Sequence, residues 1–177
     1  MTFFEWSEAM SLGEPLLDAD HKCLIGLINR LHESLQDGAG SDVLVDIFDG
    51  LIAYIEFHFA REEKVIEACD YPGAKAHQEE HAEFTQHIYD LRDRHVRGIG
   101  PAITHESLHY LRSWLNHHIM IQDMAYKPYL EHNPLGNEVA QAFGPVLADD
   151  VRAFSAGGHE KTGSHVTAAT GTDQGAW

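Results

Sequence analysis

Residues 58–81 read HFAREEKVIEACDYPGAKAHQEEH, with a pair of metal-type donors at each end. His58 and Glu62 are four residues apart, and so are His77 and His81. On an α-helix, residues i and i+4 lie one above the other on one face, so each pair can aim two donors at one point. Between the pairs, Asp70-Tyr71-Pro72-Gly73 carries strong turn chemistry. The stretch therefore predicts a helix ending near Cys69, a tight turn, and a further helix opening near residue 74. Two donor pairs would then stand on neighbouring helices.

Working upstream, Ser41 or Asp42 caps the helix that carries His58. Leu44, Ile47, Phe48, Leu51, Ile55, Phe59, Val65 and Ile66 mark its inner side. The loop Asp37–Gly40 separates it from an earlier helix, spanning about 19 to 37 and capped by Asp18 or Asp20. There, Leu24, Ile25, Leu27, Ile28 and Leu31 follow a helical period, with His21 close to the start. Before it, Phe3, Phe4 and Trp6 with the breakers Gly13 and Pro15 predict an ordered arm across a bundle end.

Working downstream, the helix of His77 extends to about residue 97, with Ala82, Phe84, Ile88 and Leu91 among its apolar positions. Residues 98–101 break it. Thr104 followed by Ser107 opens a fourth helix, running to about 126 and carrying His118 and Asp123, with Pro128 just past its end. No stretch alternates with period two, so no sheet is expected. The expected fold is all-α, an up-down-up-down four-helix bundle over residues 1–133. Val139, Phe143, Val146, Leu147, Val151 and Phe154 predict a short helical extension over 134–155, kinked at Gly144-Pro145. Residues 156–177 are rich in Gly, Ala, Ser and Thr and predict a disordered tail.

The chain has 177 residues and a formal charge of −16, which argues against nucleic acid or an anionic membrane as a partner. No apolar run reaches the roughly 20 residues of a membrane span. The first residues, MTFFEWSEAM, lack the basic start of a signal peptide. Two cysteines do not make a disulfide framework, and a reduced, cytoplasmic setting fits them. Cys23 lies two residues past His21 and reads as a buried free thiol.

His21, His58, Glu62, His77, His81, His118 and Asp123 make seven candidate metal ligands, more than the four of a structural zinc site. Two metals sharing bridging carboxylates would use them well. The step from His118 to Asp123 is the awkward one, since five residues turn an ideal helix by about 140°. Either the helix loosens there or Asp123 reaches around. His32, His87, His95, His105, His109, His117 and His132 read as exposed or capping residues, and His117 points about 100° away from His118. Tyr126 reads either as a partner of a carboxylate near the site or as a packed core residue.

Four separated motifs resemble those of the hemerythrins, in particular the bacteriohemerythrins, over roughly residues 5–131. L-D-A-D-H ends at His21, H-F-A-R-E-E opens at His58, H-Q-E-E-H spans 77–81, and W-L-N-H-H-I-M-I-Q-D-M-A-Y spans 114–126. Every ligand position of the family pattern is filled, and the family uses the five-residue step. The resemblance implies two non-haem iron ions with an oxo or hydroxo bridge. It implies His77, His81 and His118 on one iron and His21 and His58 on the other, with Glu62 and Asp123 bridging. It further implies that dioxygen binds at the open position of the second iron, in a pocket formed by Leu24, Phe59, Trp114, Leu115 and Ile119.

The reading this supports is a binding protein, not an enzyme, for reversible dioxygen carriage, storage or delivery. An imidazole-rich site should hold the reduced form in reserve, and a dry pocket should slow irreversible oxidation. Two alternatives use the same centre. One is a di-iron oxidase, peroxidase or nitric-oxide-handling enzyme. The other is an oxygen or iron-state sensor in which the extension engages a protein partner.

Overall fold

The structure, a computed structural model, describes residues 2–99 and 103–143. Among these residues all regular structure is helical, with no strand. Four helical rods run up-down-up-down: α1 (Pro15–Gln36), α2 (Ser41–Ala68), α3 (Ala74–Val96), and a fourth that begins as α4 (His105–His117). No described helix is long and apolar enough to cross a membrane.

The first helix starts earlier than its aspartates indicate. Glu14 is the N-cap, its side chain accepting from Leu17 N at 2.7 Å, and Pro15 fills the first helical position, where a missing N–H costs nothing. Asp18 instead accepts from Ser11 Oγ and Leu12 N, stapling the incoming chain. Asp20 turns into the core. The N-terminal arm is tied down by a reciprocal pair, Phe4 N to Asn29 Oδ1 and Asn29 Nδ2 to Phe4 O, both 2.8 Å.

The turn after α2 forms where the sequence places it. Asp70 adopts φ 53°, a left-handed conformation that aspartate tolerates. Tyr71 N donates to Ile66 O and Asp70 N to Glu67 O, which closes a Schellman motif on the last turn. Thr104 and Ser107 exchange side-chain to backbone bonds and cap α4 reciprocally.

The fourth rod departs from the expected single helix. After α4 it passes through a π segment, His118–Asp123, and resumes as α5 (Met124–Glu131), so it outruns residue 126. Pro128 lies inside α5 and not beyond it. Tyr126 and Leu130, both buried, anchor that turn and offset the hydrogen bond the proline removes.

Every inner position expected on α1 and α2 is buried, as are Phe84, Ile88 and Leu91 of α3, whereas Ala82 is exposed. The apolar interior falls into two clusters. The larger joins Leu24, Phe48, Leu51, Ile88, Leu111 and their neighbours. The smaller joins Leu12, Leu17, Val65, Ile66, Cys69, Tyr126, Leu130 and Ala140. Along α1 and α2 the polar residues His21, His58 and Glu62 lie between members of the two clusters.

A last helix, α6 (Pro134–Ala142), is capped by Asn133, whose amide also donates to Ala68 O at 2.9 Å. It packs on α2 so closely that a Cβ on Gly136 would strike Cys69 Sγ and Leu130 Cδ1. The described part of the extension therefore docks on the bundle. Residues 144–155 and the tail 156–177 lie outside the described residues. Cys23 is half-buried, not buried, and Cys69 is buried; both thiols are free.

Candidate metal centre

Four rods bring the seven donors of the sequence to one place. His21 comes from α1, His58 and Glu62 from α2, His77 and His81 from α3, and His118 and Asp123 from the two ends of the π segment. All are buried, none more than 3 % exposed. Hydrogen bonding from i to i+5 in a π turn brings residues five apart to one face, so the helix loosens and Asp123 does not reach around.

Two donor groups result. Glu62, His77, His81 and His118 form one, and His21, His58 and Glu62 the other; within each, the donor atoms lie within 4.8 Å of one another. Glu62 is common to both. Asp123 faces both as well: Oδ1 is 3.2 Å from His118 Nε2 and 3.7 Å from His77 Nε2, while Oδ2 is 3.3 Å from His21 Nε2. His81 Nε2 and His118 Nε2 are 2.9 Å apart. Two nitrogens at right angles around one ion, each about 2.1 Å away, stand about 3 Å apart.

The electrostatics suit a cation. Buried polar atoms without partners are unfavourable. Here His21 Nε2, His58 Nε2 and both Asp123 oxygens are buried and lack a hydrogen-bond partner. Burial pushes His21 down and His118 well down from the usual histidine value, leaving neutral rings with a lone pair to donate. His81 moves up, because Glu62 and Glu63 outweigh its burial. Burial also opposes ionisation of Glu62, yet His58, His77 and His81 hold it well below the usual value. Asp123 goes the other way, raised well above by burial and by the charge of Glu62. Imidazole and carboxylate donors together fit iron, manganese or zinc.

Several residues around the donors escape notice in the sequence. Asp20 is buried between Tyr54, His58 and Arg61, and Arg61 Nη1 donates to its Oδ2 at 2.6 Å. Burial alone would raise Asp20, but the His58 bond and the charges of His58 and Arg61 leave it lowered. His81 Nδ1 faces Glu63 Oε1 at 3.0 Å. The one visible clue was position, since Asp20 adjoins His21 and Arg61 lies one helical turn after His58. Tyr126 Oη donates to Glu62 Oε1 at 2.6 Å, so it serves a donor directly while packing in the core.

An apolar cavity lies beside the site, with room of about 10 Å³ for the centre of a water-sized sphere. Leu24, Phe59, Trp114 and Leu115 line it, joined by Ile28, Leu51, Ile55, Phe84 and Leu111. Ile119 is fully buried and is not among the residues that line this cavity. Trp114 stacks on Phe84 at 3.6 Å and on His118 at 4.5 Å, closing one wall. None of the seven other histidines named from the sequence is buried, and none joins either donor group.

The hemerythrin HHE cation binding domain matches residues 12–130. The chain is 30% identical over 143 residues to a bacteriohemerythrin of Ralstonia nicotianae, covering 80% of this chain and 100% of that one. It is 28% identical over 133 residues to a bacteriohemerythrin of Pseudomonas aeruginosa, covering 75% and 85%. Among solved structures, a hemerythrin point mutant superposes with a TM-score of 0.69 at 26% identity, over 73% of this chain and 98% of that one. With a four-rod bundle, a buried cluster of histidines and carboxylates, and a domain match over most of its length, the chain belongs to the hemerythrin family.

Proposed function

We propose that the chain binds dioxygen reversibly at a pair of iron ions held by these seven residues. The observation that carries this reading is the asymmetry of the donors. His77, His81 and His118 gather on one side of the two carboxylates, and His21 and His58 on the other. One ion would be held by His77, His81 and His118 and the other by His21 and His58, with Glu62 and Asp123 near enough to serve both. The side of His21 and His58 offers one histidine fewer, so an ion held there would have a position for a small ligand. Ferrous iron supplies the electrons that dioxygen binding draws on.

The chain's own residues do the rest. Tyr126 occupies one oxygen of Glu62 and so fixes where the other points. The cavity beside Leu24 and Phe59 is small, with about 10 Å³ for the centre of a water-sized sphere, and offers water no polar partner. Among the described residues only apolar side chains line it, with no acid or base placed there to move a proton, which favours release over turnover. Membership of a family named for cation binding supports the same reading.

The test is to load the protein with ferrous iron under anaerobic conditions, admit oxygen, and record the visible spectrum through repeated cycles. A charge-transfer band that rises with oxygen and bleaches on its removal is expected. Irreversible oxidation at the first exposure, with peroxide released, would sink the carrier reading in favour of an oxidase.

A further inference from the structure

Behind His58 lies a buried charge pair that is neither a donor nor part of the cavity. Asp20 is 2 % exposed and Arg61 is fully buried. Asp20 Oδ2 accepts from Arg61 Nη1 at 2.6 Å and stands 3.4 Å from His58 Nδ1, while Tyr54 Oη donates to Oδ1 at 2.9 Å. The guanidinium lies 4.7 Å over the Phe57 ring. A buried ion pair is weak evidence for stability, because desolvation offsets its attraction. A carboxylate at Nδ1 has a different use: it keeps the proton on that nitrogen and turns the Nε2 lone pair inward.

The opposite side of the site builds the same device differently. His81 Nδ1 is 3.0 Å from Glu63 Oε1, and the Glu63 side chain is 30 % exposed. One histidine thus rests on a dry, charge-compensated carboxylate and the other on a wet one.

We propose that Asp20 and Arg61 are positioning residues for one metal position only, the one that His21 and His58 serve. Asp20 orients His58, and Arg61 holds Asp20 as a fixed acceptor while cancelling its charge beside the site. This rests on the two-ion reading above.

The experiment titrates the metal-free full chain with Co²⁺ and follows binding by calorimetry. The unchanged chain shows two binding events. Asp20→Asn weakens one of them by about 10–100-fold and leaves the other within about threefold. Glu63→Gln weakens the other event, and the double variant shows both losses together. Arg61→Lys keeps the cation but loses the planar fork, so it weakens the same event as Asp20→Asn by a smaller factor. It also decides the matter if Asp20→Asn does not fold. Equal weakening of both events by either variant, or weakening of neither, overturns the inference. An unchanged chain that takes up only one Co²⁺ overturns the two-ion reading itself, and this inference with it.

Discussion

Tyr126 Oη and Glu62 Oε1 are joined by a 2.6 Å hydrogen bond across 64 residues of sequence. Because Oε1 is occupied, Oε2 is the oxygen that faces His81 at 3.3 Å, His77 at 3.4 Å and His58 at 3.7 Å. The bond thus orients the carboxylate common to both donor groups, and it does so from inside the smaller apolar cluster.

Tyr126→Phe keeps the ring and deletes the hydroxyl. Glu62 then loses its orientation, and metal affinity should fall by about 10–100-fold. The metal-free protein should lose about 1–3 kcal/mol from the unpaired buried oxygen. Calorimetric metal titration and thermal unfolding measure the two effects separately.

Asp123 should be a burden to the metal-free protein. Its folded value is raised well above the ordinary 3.8, by burial first and by Glu62 second. The folded chain then holds a proton that the unfolded chain has released, so stability falls as pH rises from 3.8 towards the folded value. Asp123→Asn has no such group. Without metal it should be about 1–2 kcal/mol more stable than the parent at pH 7, with the gain shrinking as pH approaches the ordinary aspartate value. With metal it should be the weaker binder. Unfolding curves across pH, with and without metal, check the sign.

Neighbouring histidines should behave oppositely. His118 is 2 % exposed and belongs to a donor group, whereas His117 is exposed and belongs to none. His118→Ala should lower iron per chain, and His117→Ala should leave it unchanged. Iron analysis after loading gives the answer, and equal losses would contradict the donor assignment.

Leu24→Ala enlarges the cavity on the α1 side. Emptying a buried leucine site costs about 2–5 kcal/mol. It also makes room for water, so the oxygenated protein should oxidise irreversibly several times faster. The half-life of its visible band is the readout.

Gly136→Ala tests the docking of α6. The new Cβ would lie 2.5 Å from Cys69 Sγ and 2.8 Å from Leu130 Cδ1, so one of them must move. A loss of about 1–3 kcal/mol is expected. In a Cys23→Ser background, Cys69 should also label faster with a thiol reagent.

Much of this was legible locally. The turn at residues 70–73 and the inner faces of α1 and α2 follow from spacing alone, because side-chain periodicity reports burial directly. His58 with Glu62 and His77 with His81 were legible as local pairs four residues apart, whereas His21 stands alone in the sequence and joined the candidates only through the combined pattern. What escaped depends on partners far along the chain. Asp18 and Asp20 look like caps, but one is engaged by Ser11 and Leu12 and the other by Arg61, 41 residues away. Pro128 reads as a stop signal, yet the burial of Tyr126 and Leu130 carries the helix past it. Spacing left two accounts of the step from His118 to Asp123, and only backbone geometry separates them.

The two apolar clusters that flank the donors bear on how metal leaves. All seven donors are buried, none more than 3 % exposed, with aliphatic and aromatic side chains beyond them on both sides along α1 and α2. A chelator in solution would meet little of the donors of an ion held there. Departure must wait for the helices to part. The rate of loss would then be a property of the protein's own opening and would not change when the chelator is doubled.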